Sequence, residues 1–446
     1  MKLIVPPLSF HNDAGFRHDL DIFGRKPFGE ALLNLSKNTE DRLVLALDAP
    51  WGEGKTTFIK MWGGLLNENG IPYIYFDAFE NDYHADPFLA ISSQIYQLIE
   101  KDDTKLHSDF KEKASATLKV IGRSGLRIGI KALTAGVLDE SILEDTGNVN
   151  DAANEASDLL DGFISNQLSK ADENRRCIES FKNYLTDLGA SLGNGGPIII
   201  IIDELDRCKP KYALSLIENI KHLFSVPNIV FVLVMNRSQL EEAVRCEYGA
   251  GVDALKYLQK FVSIWCSFPK PSESFKSVPK KYLHECLHRM EYKSQNDKHQ
   301  AMIDFYEELV EYYELSLREI EKSLTSFAII HNVTGGNLNT DYSWMSIFIV
   351  VIKTIRPNIY QKLSTKSISY DDLLVEASLS DLNADWWEKK PEGHPIRWLL
   401  KYFLSNDEEA GELLKQGNYL ASRDPRSVNH NAIPDICRWL ESFKHE

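Results

Sequence analysis

The stretch LVLALDAPWGEGKTT, Leu43 to Thr57, decides the fold of this chain. An apolar strand pattern runs into a turn holding Gly52 and Gly54. Lys55, Thr56 and Thr57 then open a helix pattern whose buried face is Phe58, Ile59, Met61, Trp62, Leu65 and Leu66. This reads as a phosphate-binding loop: the glycines let backbone N–H groups turn toward phosphate oxygens, and the helix presents its positive end to the anion. Trp51, Gly52, Glu53, Gly54, Lys55, Thr56 and Thr57 are expected to line a nucleotide, with Lys55 reaching the β and γ phosphates and Thr56 holding Mg²⁺. The pattern GxxxxGK[ST] has Ala49 at its first glycine position. Pro50 eases that departure, because a residue before proline is driven into the extended region, where alanine carries no left-handed strain.

Downstream, Ile198 to Ile202 is a run of five isoleucines ending in Asp203-Glu204-Leu205-Asp206-Arg207. A continuous β-branched run is a strand buried on both faces, as in a parallel sheet covered by helices. Its acidic residues then sit at the carboxyl end, where such sheets bind ligands. Asp203 has the position and type to hold Mg²⁺ through water, together with Thr56, and Glu204 is the candidate base for a water attacking the γ phosphate.

Further strands are expected at Ile71 to Asp77, Ile229 to Met235 and Phe261 to Phe268. Helices are expected from Asp86-Pro87 to about Ile99, near Arg175 to Leu188, from Tyr212 to Phe224 and from Ser238 to about Glu247. The alternation predicts an α/β fold with a doubly wound parallel sheet. LDIFGRKPFGEALLNLS, residues 20 to 36, places a turn before an amphipathic helix and reads as a lid edge over the nucleotide.

Residues 101–174 read as a largely helical insertion, with a glycine-spotted stretch, Val120 to Val137, followed by a cluster of acidic residues. In that stretch Arg123, Arg127 and Lys131 recur every four residues between apolar positions, a pattern for a membrane surface or for a buried or partner-facing helix. The glycines and the acidic segment that follows favour the latter, so peripheral membrane contact is not expected. Beyond Pro269 the pattern is mostly helical, giving a core at 1–100 and 175–269 and a helical lid or partner-binding region at 270–446. In HECLH, His284 and His288 stand at i and i+4, a metal-binding spacing, but no fourth ligand is apparent and Cys286 points to another face. Trp386-Trp387 reads as a packing anchor rather than a base-stacking site.

The 446 residues can bury a large core in two or three domains, and 43% hydrophobic with 26% charged residues is an ordinary globular composition. A formal charge of −15 argues against a general nucleic-acid coat. The six cysteines show no framework spacing, the first residues do not read as a signal peptide, and no apolar run approaches the roughly 18 residues of a membrane span. A cytoplasmic protein is therefore expected.

Taken together, DAPWGEGKTTF, FDAFENDYHADPF (Phe76 to Phe88), IIIIIDELDRCKP, FVLVMN (Phe231 to Asn236), YLQKFV (Tyr257 to Val262) and LSLREIEK (Leu315 to Lys322) resemble the KAP-family P-loop NTPases. The resemblance implies the additional-strand, catalytic-glutamate class of P-loop folds, in which the strand ending at Asn236 lies between the phosphate-loop strand and the Asp203 strand. It implies a sensor role for Asn236, whose residue type and place equally suit a helix cap before Ser238. It also makes Arg318 resemble a second sensor arginine, although an exposed helix arginine paired with Glu314 or Glu321 fits the sequence as well. Ala49, Phe79 and Glu204 depart from the family's usual glycine, tryptophan and aspartate, and none removes a charge needed for hydrolysis. Many members of the family carry transmembrane helices where this chain has only Val120 to Val137.

The resulting expectation is an ATPase that uses Mg²⁺ and ATP to drive a conformational or oligomeric switch. The absence of an NKxD-type guanine motif near the last strands favours ATP over GTP. A homo-oligomer is expected, with Arg207, Arg237 or Arg245 as a finger to a neighbouring subunit, or Arg207 as a counter-charge for its acidic neighbours. The family resemblance implies bacterial defence against phage or exclusion of mobile elements, with a protein effector or a phage-derived trigger. A nucleotide-gated scaffold with little hydrolysis and a P-loop kinase of a small acceptor are the alternatives.

Overall fold

The computed structural model describes residues 1–8, 15–37, 42–83, 86–99, 103–125, 149–193, 196–269, 278–292, 297–336, 338–379, 395–415 and 432–443. Five parallel strands form one sheet: β1 (Leu43–Asp48), β2 (Tyr73–Asp77), β3 (Ile198–Asp203), β4 (Ile229–Met235) and β5 (Ile264–Ser267), in the spatial order β2-β3-β4-β1-β5. As the resemblance implies, β4 lies between β1 and β3. The register pairs Asp48 with Met235 and Asp77 with Asp203, so the carboxyl ends of the central strands finish level.

The isoleucine run of β3 is buried throughout because its two faces enter two cores. Ile198, Ile200 and Ile202 pack with Phe88, Phe181 and Phe224 on one side, while Ile199 and Ile201 pack with Phe58, Trp62 and Leu66 on the other. On that second face lie α1 (Lys26–Lys37) and α2 (Lys55–Glu68); α3 (Pro87–Leu98), capped by the Asp86 carboxylate, covers the first. Next come α4 (Thr104–Gly125) and the long α5 (Val149–Leu192), tied together where the Tyr184 hydroxyl donates to the Leu106 carbonyl at 2.9 Å. Of the glycine-spotted stretch, Val120 is buried and Ile121 packs on the sheet core, whereas residues 126–137 lie outside the described residues.

Several expected boundaries move, each for a local reason. β2 starts at Tyr73, not Ile71, because the Ile71 N–H bonds the Leu66 carbonyl and Pro72 has no N–H to give. The helix expected near Arg175 to Leu188 is the C-terminal part of α5, which begins at Val149. The helix expected from Tyr212 to Phe224 is α6 (Pro210–Asn219) followed by a π-helical turn, Ile220–Phe224, closed by the Ser225 N–H on the Ile220 carbonyl. The last strand is only Ile264–Ser267, because Phe261 and Val262 bond back to Leu258 in a turn and bury their side chains beneath the sheet.

After β4 come α7 (Arg237–Tyr248) and the short α8 (Ala254–Leu258), and the remaining helices form their own core. At its centre stands Thr340–Ile355, whose residues Met345 and Ile347 to Ile352 are fully buried; a helix apolar on every side belongs inside a bundle. Around it pack Asp297–Tyr312, Leu317–Val333, Pro357–Ser364, Pro395–Leu404 and Ala432–Ser442, and Val278–Arg289 lies against Asp297–Tyr312 and Leu317–Val333. No helix of the described residues is long and apolar enough to cross a membrane. Trp386 and Trp387 lie outside the described residues.

Candidate nucleotide site

The loop between β1 and α2 is shaped by its two glycines. Gly52 and Gly54 sit at φ 87° and 76°, the left-handed region, whereas Ala49 does not, in agreement with its place before Pro50. Space around Gly52 is as limiting as its backbone: a Cβ there would meet Ser316 and Arg318 at 3.3 Å. Those two residues belong to the start of the helix Leu317–Val333, where Ser316 and Glu319 form a capping box. The helical region therefore seats its capped helix terminus directly on the phosphate loop.

Lys55 is buried, and its ammonium donates to the carbonyls of Ala49 at 2.7 Å and Pro50 at 3.1 Å. Burial pushes its pKa down, and Asp206, Glu204 and Asp203 oppose that shift in that order. Asp203 is 1% exposed at the end of β3. Its carboxylate accepts from the Glu204 N–H at 2.8 Å and the Tyr75 hydroxyl at 3.0 Å, which fixes its orientation. Burial raises its pKa, against the pull of those bonds and of Thr56.

Glu204 is held in the left-handed region at φ 56°, an uncommon place for a residue with a side chain. The Thr56 hydroxyl donates to its Oε1 at 3.4 Å, and Arg207 Nε pairs with its Oε2 at 2.5 Å. Burial raises the Glu204 pKa, Arg207 lowers it, and the neighbouring carboxylates raise it again. Beside them the Trp51 indole N–H donates to Asp206 Oδ2, while Asp206 Oδ1 is buried with no hydrogen-bond partner.

These groups open on a cavity of about 200 Å³ that brings together Trp51, Gly52, Gly54, Lys55, Thr56, Thr57, Glu204, Arg207 and Arg318. Asp203 lies behind it, linked through Thr56 and Glu204. Glu53 is not on its wall: its carbonyl accepts from Arg25 at 2.9 Å and the residue borders a separate cavity. Asn236 is not on the wall either. Its Oδ1 caps α7, accepting from the Ser238 N–H at 3.2 Å and hydroxyl at 2.8 Å. Of the two readings open for Asn236, the cap is the one the contacts display. Arg318, exposed at the cavity edge, has no ion pair with Glu314 or Glu321, and Glu321 instead accepts from the Tyr282 hydroxyl.

The three finger candidates are all engaged within the chain. Arg207 holds Glu204; Arg237 pairs with Glu241 at 2.8 Å and lies over the Trp265 ring; Arg245 pairs with Glu241 at 3.3 Å and Glu242 at 2.5 Å. At HECLH, His284 meets Glu307 at 2.6 Å and Cys286 is buried, its thiol pushed up to about 12 by burial. No group of three or more His, Cys, Asp or Glu among the described residues is arranged to hold a metal.

The cavity also has walls that sequence reasoning assigned no individual role. Leu20, Ile22 and Phe23 form an apolar side, and Arg25 lies 3.7 Å from the Phe268 ring centroid and 4.9 Å from that of Phe23. Burial pushes the Arg25 pKa down to about 10, against Glu53 and Asp21. The apolar spacing of LDIFGRKP was the available signal for this wall. Tyr282 and Tyr75 gave none, since each reaches the site only through tertiary packing.

The chemistry available here suits a phosphate ester. A buried carboxylate and a hydroxyl stand together, a lysine and two left-handed glycines face the same space, and an apolar wall adjoins them. The family profile described as KAP family P-loop domain matches residues 25–334. An uncharacterised protein of Methanocaldococcus jannaschii is 28% identical over 179 residues, covering 36% of this chain and 88% of that protein. Among solved structures, the Aeropyrum pernix ORC2 protein in its ADPNP-ADP complexes aligns over 97% of this chain and 99% of that one, at 12% identity and a TM-score of 0.36. Domain III of the Thermotoga maritima replication initiation protein DnaA aligns over 78% of this chain and all of that one (100%), at 12% identity and a TM-score of 0.33. At these values neither structure carries an inference about ligand or partner.

Proposed function

The chain belongs to the KAP family of P-loop domains, and on that premise we propose that it is a nucleoside triphosphatase that hydrolyses ATP with Mg²⁺. The observation that carries the proposal is the placement of Glu204. Its carboxylate lies at the wall of the cavity that contains Lys55, Thr56 and Gly54, bonded to Thr56 on one oxygen and Arg207 on the other.

In this reading the backbone N–H groups from Gly52 to Thr57 and the Lys55 ammonium bind the phosphates. Thr56 and Asp203 would hold Mg²⁺, which when bound supplies charge stabilisation for the transferring phosphoryl group. Glu204 takes the proton of the attacking water, and its raised pKa brings a carboxylate closer to the range where a base is effective. Arg318 reaches the phosphates from the helical region. Asn236, while it caps α7, positions the end of β4 and acts as a sensor if it leaves the cap. Leu20, Ile22 and Phe23 give the base of the nucleotide an apolar wall.

We further propose that the chain divides into a core of residues 1–100 and 175–269, a helical insertion at 101–174 and a helical region at 270–446, and that hydrolysis switches the core against the helical region. The contact of Ser316 and Arg318 with Gly52 supports this, because a change in the loop is felt at once by the helix that rests on it. A cytoplasmic homo-oligomer acting in defence against phage through a protein effector or trigger rests on the family resemblance. Unchanged phage plating on a deletion strain across a broad panel would count against that role.

One observation favours a second reading. Arg207 holds a Glu204 oxygen at 2.5 Å, which suits a nucleotide-gated scaffold whose base is kept from water. Phosphate release from ATP and GTP by wild type and Lys55→Ala, across a protein dilution series, separates the two. Turnover lost in Lys55→Ala supports the hydrolase, and a rise in activity per mole with concentration supports an oligomer. Nucleotide binding without turnover at any concentration favours the scaffold.

A further inference from the structure

Two carboxylates stand on the wall of the nucleotide cavity, Glu204 and Glu321. Glu204 has both oxygens engaged, one by Thr56 and one by Arg207. Glu321, which the proposed hydrolysis does not use, has one: its Oε1 accepts from the Tyr282 hydroxyl, and among the described residues nothing hydrogen-bonds its Oε2. Tyr282 is 8% exposed, and burial pushes its hydroxyl well above the usual phenol range, so it stays protonated and keeps donating. Glu321 also borders a cavity behind this one, but Tyr282, the group its carboxylate is bonded to, lines the nucleotide cavity and not the other.

A carboxylate in this place opposes an anionic ligand. Glu321 is half-buried, and a triphosphate in the same cavity is repelled by it, so a nucleotide that brings it no donor loses affinity. Its position along the site says which donor it meets. Arg318 lies against the phosphate loop, its Cβ 3.3 Å from where a Cβ on Gly52 would stand. Glu321 follows on the same helix, about 4.5 Å farther along the axis at ~1.5 Å per residue. Its partner Tyr282 has its ring centroid 6.0 Å from that of Phe23, on the apolar wall proposed for the base. Glu321 therefore stands between the phosphate loop and the base wall, and the part of a nucleotide that joins phosphates to base is the sugar.

We infer that Glu321, oriented by Tyr282, accepts a hydrogen bond from a sugar hydroxyl of the nucleotide through Oε2, so that the site selects its ligand by the sugar. This rests on the nucleotide reading above and adds the residue that reads the sugar. The 2′ and 3′ hydroxyls offer the same chemistry, and a site built to bond a hydroxyl rejects the analogue that lacks it.

The test is calorimetric titration of the full chain, without Mg²⁺ so that nothing turns over, with ATP, 2′-deoxyATP, 3′-deoxyATP and purine riboside triphosphate, which lacks the exocyclic amino group. Wild type should bind ATP about 10-fold or more tighter than one of the deoxy analogues. Purine riboside triphosphate should stay within a few-fold of ATP. In Glu321→Ala the preference should collapse, because ATP weakens while the deoxy analogue holds or tightens as the repulsion is removed. A purely structural role for Glu321 would weaken every nucleotide alike and leave the ratio in place. Glu321→Gln, of the same shape, keeps the test valid if Glu321→Ala does not fold, and its ratio should fall in the same direction. Equal binding of ATP and both deoxy analogues by wild type, or a preference that survives in the Glu321 variants, would overturn the inference while leaving the nucleotide reading intact. So would a loss seen only with purine riboside triphosphate, which would assign the contact to the base. Failure of every nucleotide to bind would instead overturn the nucleotide reading, and the inference with it.

Discussion

Arg207 Nε lies 2.5 Å from Glu204 Oε2, within one turn of chain at the end of β3, so the candidate base and the arginine offered as a finger to a neighbour restrain each other in the same subunit. The pair has a consequence for pH. Burial raises the Glu204 pKa and Arg207 lowers it, so Arg207→Ala removes the largest lowering influence. A base works deprotonated, and activity falls as pH drops through its pKa. The acidic limb of phosphate release at saturating nucleotide is therefore expected to move to higher pH in Arg207→Ala. A limb that stays in place would show that Glu204 is not the group being titrated.

Ala49 and Gly52 respond oppositely to substitution. Gly52→Ala forces a side chain to φ 87° and into Ser316 and Arg318, with a left-handed cost of roughly 1–2 kcal/mol before any clash. It should lower the melting temperature and weaken nucleotide binding. Ala49→Gly, which restores the usual motif, should bring no gain in nucleotide affinity and a slight loss of stability, up to ~1 kcal/mol, because Ala49 is outside the left-handed region. Thermal denaturation with nucleotide titration checks both, and tighter binding by Ala49→Gly would contradict this account of the loop.

Tyr75 donates to Asp203 at 3.0 Å and does not line the cavity, so Tyr75→Phe isolates the orientation of the carboxylate proposed to hold the metal. Loss of such a supporting partner typically costs 10- to 100-fold in metal affinity. The Mg²⁺ concentration for half-maximal phosphate release should rise by that factor, with little change in nucleotide binding measured without Mg²⁺. An unchanged Mg²⁺ dependence would remove Tyr75, and weaken the case for Asp203, as part of the metal site.

Ser316 caps the helix that rests on Gly52. Ser316→Ala should cost about 0.5–2 kcal/mol of stability. If the helix terminus also supports the loop, nucleotide affinity should fall in the same variant, whereas a stability loss with unchanged affinity would separate the two regions.

Much of this was legible in the sequence, for reasons that can be named. The β-branched run Ile198 to Ile202 announces a strand with two buried faces, and GEGKTT announces a turn with left-handed glycines opening a helix. Those are local signals. What escaped depends on distant segments: Ser316 against Gly52, Tyr75 on Asp203, and Arg25 on Phe268 join residues far apart in sequence, whereas Arg318 was reached only through the family resemblance. The left-handed backbone of Glu204 was also unreadable, since no glycine marks it. Asn236 shows the limit of residue type alone, because an asparagine after a strand serves a cap as well as a sensor, and here it caps.

The central claim is that Glu204 supplies the base for hydrolysis at the Lys55 loop. Its most direct test is Glu204→Gln, which keeps the shape of the side chain but removes the proton acceptor. Nucleotide binding and single-turnover hydrolysis of ATP with Mg²⁺ would be measured on the same preparation. The account predicts nucleotide affinity within a few-fold of wild type and a hydrolysis rate lower by ~10²–10⁴. Hydrolysis by Glu204→Gln at the wild-type rate would contradict it and move the search for the base elsewhere along the wall of the cavity.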